Sequence, residues 1–63
     1  MKIDVYQMDL EQARVNKSWN ELGIDRKLIM RIRRGDEIRP LTAAKLAAAL
    51  GVDPERITVR GDQ

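Results

Sequence analysis

Leu22-Gly23-Ile24-Asp25-Arg26-Lys27-Leu28-Ile29-Met30-Arg31-Ile32-Arg33-Arg34-Gly35 reads as a turn, a short helix and a stop. Gly23 can take the positive φ that a tight turn between two helices often demands. Asp25 is a good N-cap, because its carboxylate can accept a hydrogen bond from a free N–H of the first turn. Ile24 precedes the cap, where an apolar side chain can staple onto Leu28 or Ile29. Gly35 falls where glycine closes helices. These signals predict a helix over about 25–34 with Leu28, Ile29 and Ile32 on its apolar face. Between the two stops lie Arg26, Lys27, Arg31, Arg33 and Arg34, and residues 26–34 contain no acid. A short, capped, cationic helix after a glycine turn is what reading a DNA groove requires.

Downstream, Asp36-Glu37-Ile38-Arg39-Pro40 is a polar loop in which Pro40 biases Arg39 toward extended backbone. Thr42 is a candidate N-cap for the next helix. Ala43-Ala44-Lys45-Leu46-Ala47-Ala48-Ala49-Leu50 has high helix propensity, and Gly51 stops it. Leu46 and Leu50 share one face with Ala43 and Ala47, and small side chains there admit a close neighbouring helix. Val52 is expected to plug the core after the turn. Asp53 followed by Pro54 reads as a cap with proline at the first helical position, opening a fifth helix of about one turn. Gly61-Asp62-Gln63 reads as a disordered end.

Upstream, Ser18 and Glu21 match a capping box, so a second helix is expected to start near Ser18. Gly23 ends it after little more than one turn, so Trp19 and Leu22 must hold it by packing inward. Trp19 is then a core anchor, with a dimer contact as the alternative. A first helix is predicted over about 5–15, with Tyr6, Leu10, Ala13 and Met8 inward and Tyr6 at the core edge. The ends alternate instead: Ile3 and Val5 at one, Ile57 and Val59 against Thr58 and Arg60 at the other. They are candidates for β pairing within or between chains, or else fray, since a lone two-stranded ribbon is marginal. The expected fold is all-α, a compact bundle of about five short helices with a helix-turn-helix and short β pairing of the ends, in one domain over 1–63.

At 63 residues the chain is near the lower limit for folding on its own core, and without cysteine no disulfide can help. The absence of histidine removes the commonest general base and metal ligand. Ser18 is the only serine and has no base to activate it, and Asp36 and Glu37 lack the flanking geometry of an acid–base pair. Asp25 and Glu21 form no metal set with proper ligand spacing. An enzyme is therefore not expected, nor a cofactor, metal or small-molecule ligand. The net charge of +2 is unevenly placed: residues 24–40 carry six basic and three acidic side chains, residues 1–23 three and four, residues 41–63 three and three. The positive field is local, which suits a polyanionic partner. No apolar run approaches the roughly 20 residues of a membrane span, and Met1-Lys2-Ile3-Asp4 lacks a signal-peptide core. A cytoplasmic location is the default expectation.

Three stretches resemble the phage repressor and Cro-type helix-turn-helix proteins: Glu21-Leu22-Gly23-Ile24-Asp25, Leu28 to Gly35, and Arg39-Pro40-Leu41-Thr42-Ala43-Ala44-Lys45-Leu46-Ala47-Ala48-Ala49-Leu50-Gly51-Val52. The last is the most specific, and the resemblance spans about residues 5–57. It departs from the family in one place: five residues separate Ser18 from Gly23, about one helical turn fewer than usual. The resemblance implies a sequence-specific duplex DNA-binding regulator of phage or mobile-element type, repressor-like; a single module this small offers few base contacts, so a homodimer on a pseudo-palindromic site is expected to supply the rest. The resemblance also implies that Arg26, Lys27 and Arg31 face the major groove, where Arg and Lys can reach guanine O6 and N7. Leu28 is placed either to touch a thymine methyl or to pack in the core, and Met30 at the core edge or an interface. Arg33, Arg34 and Arg39 are candidates for phosphate contacts, with stabilisation of the helix C-terminus as the competing role for cations there. Lys17 and Ser18, with Asn20 beside them, are further phosphate candidates at the start of the short second helix. That shortened helix also motivates a second reading, an antitoxin-like or assembly partner that keeps the fold but binds DNA weakly.

Overall fold

The computed structural model describes residues 1–59. Its elements are three α-helices, α1 (Val5–Val15), α2 (Arg26–Arg34) and α3 (Pro40–Leu50), followed by a 3₁₀ turn at Pro54–Arg56. There are no strands among the described residues. The predicted second helix is one turn only: Leu22 N–H donates to the Ser18 carbonyl at 3.0 Å and Ile24 N–H to the Trp19 carbonyl at 2.9 Å. Its capping box nevertheless forms, with Ser18 N–H on Glu21 Oε1 at 2.9 Å and Glu21 N–H on Ser18 Oγ at 3.2 Å. The cap works, but Gly23 at φ +77° turns the chain before a second turn can propagate. The fifth predicted helix is likewise a single 3₁₀ turn, because three residues from Pro54 close only an i→i+3 pattern.

The core consists of Ile3, Met8, Ile29, Ile32, Ile38, Ala43, Leu46, Ala47, Leu50 and Ile57, all buried. Trp19, Leu22, Ile24, Leu28 and Val52 pack half-buried against it. Helix α3 supplies the greatest share, and its buried Ala43 and Ala47 let neighbours approach closely. Its N-cap is Arg39 with Pro40 in the first turn, not Thr42. Proline lacks the N–H that the first turn cannot use, so the helix begins there, earlier than a threonine cap would place it.

The inward face of α1 is the predicted one only at Met8. Tyr6 is 70 % and Leu10 44 % exposed, and Ala13 is exposed, while Met8 and Glu11 are buried and Val5 and Val15 half-buried. Two apolar stripes compete on this helix. The stripe that wins contains an acid, which hides its period in the sequence. Two features set the phase: Asp4 caps α1 by accepting from Gln7 N–H at 3.2 Å, and Ile3 is buried just before it. Buried Glu11 lies 3.9 Å from Arg14 and 3.9 Å from Arg56, two cations that make its burial tolerable.

The ends meet as a single antiparallel bridge, Ile3 with Thr58. Asp4 N–H donates to the Ile57 carbonyl at 2.7 Å and Val59 N–H to the Lys2 carbonyl at 2.9 Å. On its other side the same segment meets the α2–α3 loop, where Ile38 N–H donates to the Met1 carbonyl at 2.7 Å. Residues 1–4 thus lie between that loop and residues 57–59, and Ile3, Ile38 and Ile57 are buried together. The expectations for Arg60 and for Gly61 to Gln63 lie outside the described residues. No helix among the described residues is long and apolar enough to cross a membrane.

Candidate nucleic-acid interface

Helix α2 is held at both ends by its own sequence. Lys27 N–H donates to Asp25 Oδ1 at 2.9 Å, closing the N-cap. At the other end Gly35 has φ +93°, its N–H donates to the Ile32 carbonyl at 3.0 Å, and Asp36 N–H reaches the Arg31 carbonyl at 3.1 Å. This nested pair is a Schellman stop, which needs a residue at ease in the left-handed region. Ile29 and Ile32 fix the inward face. The remaining positions other than Leu28, namely Arg26, Lys27, Met30, Arg31, Arg33 and Arg34, are exposed.

The predicted cations fall into two groups. Arg26, Lys27, Lys17 and Arg39 have no ion-pair partner among the described residues. Arg31, Arg33 and Arg34 each have one. Arg33 clamps Asp9 of α1 through two hydrogen bonds, Nη2 to Oδ1 at 2.9 Å and Nη1 to Oδ2 at 3.1 Å. That two-bonded contact raises the Arg33 pKa further above its ordinary value. Arg34 forks onto Asp36 through Nε at 3.2 Å and Nη2, and Arg31 Nε lies 3.8 Å from the same carboxylate. The bond from Arg34, aided by the charges of Arg34 and Arg31, holds the Asp36 carboxyl below its ordinary range.

The remaining predicted site residues divide in the same way. Leu28 is half-buried and packs against the core, so its apolar side chain is mostly engaged within the protein. Ser18 spends its hydroxyl on the capping box, and its backbone N–H bond is the main cause of a lowered Glu21 pKa. Arg39 and Arg31 line one cleft of about 240 Å³ with Leu28, Ile38 and Thr42. A second, larger groove of about 550 Å³ is lined by Trp19, Ile24 and Met30 together with Arg26 and Arg33. Sequence reasoning leaves Met30 between core edge and interface, and the structure puts this side chain outside the core at 63 % exposed. The same reasoning misses the two acids that engage the cations. Asp36 stands two residues from Arg34, within reach of local inspection. Asp9 is 24 residues from Arg33, and nothing local signals it.

The described residues define a small three-helix domain that presents a cationic helix behind a tight turn. No family model, curated protein or solved structure matches the chain.

Proposed function

We propose that this chain is a sequence-specific duplex DNA-binding protein that lays α2 in the major groove. The observation that carries this reading is the outward face of α2. Its charged side chains are all cationic, no acid lies on the helix, and Arg26 and Lys27 at its N-terminal end stand free of ion pairs among the described residues. The N-terminal part of a reading helix is the part that reaches base edges. Arg26 and Lys27 are assigned to guanine contacts, and Arg31 beside them joins in once Asp36 yields it. Arg39, Lys17 and Arg34 are assigned to phosphates, where they set register. The resemblance to repressor and Cro-type proteins supports a regulatory role of phage or mobile-element type, acting as a homodimer on paired half-sites about one helical turn apart.

The test is selection of bound sequences from a random duplex library, repeated with single alanine variants. Arg26→Ala and Lys27→Ala are expected to change the selected sequence. Arg39→Ala is expected to weaken all sequences alike. The reverse pattern would show that the roles are exchanged. The apolar groove beside Trp19 favours a second reading, a docking module for a protein partner. That reading predicts no enriched sequence at all.

A further inference from the structure

Met30 is the one apolar side chain on the exposed face of α2. Its neighbours three and four positions away along the helix are Arg26, Lys27, Arg33 and Arg34. A methionine in the middle of four cations, 63 % exposed, contributes little to the core, which Ile29 and Ile32 fill from the opposite side. Single exposed apolar residues are common on protein surfaces. This one differs in its setting, because two of the cations beside it, Arg26 and Lys27, stand free of ion pairs among the described residues and would hold a polyanion against it, while Arg33 and Arg34 are engaged by Asp9 and Asp36. A thioether is flexible and polarisable, so it adapts to a small apolar group of uncertain position. On the major-groove floor that group is the C5-methyl of thymine, the only apolar feature that base pairs display there.

We infer that Met30 reads a thymine methyl, and that it, not Leu28, is the apolar specificity residue of α2. The inference rests on the DNA-binding reading above. It also fixes a spacing. Met30 lies three to four residues beyond Lys27 and Arg26, about 4.5–6 Å along the helix axis. Base steps along a strand are about 3.4 Å apart. The thymine therefore falls about one to two steps from the guanine that Arg26 or Lys27 contacts.

The experiment starts from the best duplex selected by the wild-type protein and replaces its thymines one at a time with deoxyuridine, which removes the methyl alone. The wild type is expected to lose about four-fold in affinity at one thymine per half-site, the equivalent of burying one methylene-sized group. Met30→Ala is expected to be indifferent at that position while keeping the guanine preference, and Met30→Leu to keep the discrimination. Because Met30 is exposed, its variants should melt like the wild type. Indifference of the wild type to every deoxyuridine, or full discrimination retained by Met30→Ala, overturns the assignment of Met30 and leaves DNA binding standing. Absence of salt-dependent duplex binding by the wild type overturns the DNA reading, and this inference with it.

Discussion

The two halves of α2 carry the same kind of residue in different states. Arg26 and Lys27, in the first turn, face solvent with no acid paired to them among the described residues. Arg31, Arg33 and Arg34, in the last turns, are engaged: Arg33 by Asp9, and Arg31 and Arg34 by Asp36. The difference shows that a count of positive charges overstates what the helix can offer a ligand without rearrangement. The first half is ready to meet an anion. The second half must first give up a carboxylate partner, and the exposed geometry of these pairs makes that release inexpensive.

This contrast predicts unequal effects. The largest should come from Arg26→Ala and Lys27→Ala. Each is expected to cost on the order of 1–3 kcal/mol of discrimination at one base position, read as roughly five- to 150-fold against the preferred sequence. Uniform loss across all sequences would move these residues to the phosphate class. Next is Asp36→Asn, which releases Arg31 and Arg34. It should raise affinity for every duplex and steepen the log–log salt dependence by about 0.9 for each further phosphate that the freed cations neutralise. An unchanged slope would mean that Asp36 does not restrain these cations.

Asp9→Ala acts through the fold as well as the charge. It removes the only ion pair joining α1 to α2 among the described residues, between side chains that are 47 % and 44 % exposed. After allowance for solvent screening, thermal unfolding should report a loss of about 0.5 kcal/mol. A loss several times larger would show that the clamp organises the helix pair. The smallest effect is that of acid. Asp36 and Glu21 both have lowered carboxyl pKa values, from the Arg34 and Ser18 bonds respectively. A group whose folded pKa is depressed contributes stability that is present above the ordinary carboxylate range and is lost as pH falls through the folded value. Stability should therefore hold from neutral pH down to that range and then decline. Asp36→Asn should remove part of the decline, and an identical decline in both proteins would count against the pair.

The legible parts of this molecule are those with local chemistry. The bounds of α1, the Asp25 cap and the Gly35 stop all follow from residues within a few positions of one another. So does the capping box at Ser18, although it opens a turn and not a helix. The start of α3 is misplaced when Thr42 is weighed above Pro40, whose missing N–H is the better signal. The inward face of α1 is hard to read because its stripe runs through Glu11, and an acid at a core position is explained only by Arg14 and by the distant Arg56. The candidate interface divides the same way. That Arg26 and Lys27 open α2 is readable from the Asp25 cap before them, whereas the capture of Arg33 by Asp9 depends on how α1 packs, which no local pattern encodes.

Whether the outward face of α2 engages duplex DNA through its cations can be read from one titration. The most direct measurement is the affinity of the wild-type protein for duplex DNA as a function of salt, starting at low ionic strength. Log affinity is expected to fall linearly with log salt through counterion release, with a shallower line for the double variant Arg26→Ala/Lys27→Ala. No duplex binding at low salt, or binding indifferent to salt, would contradict the DNA-binding reading.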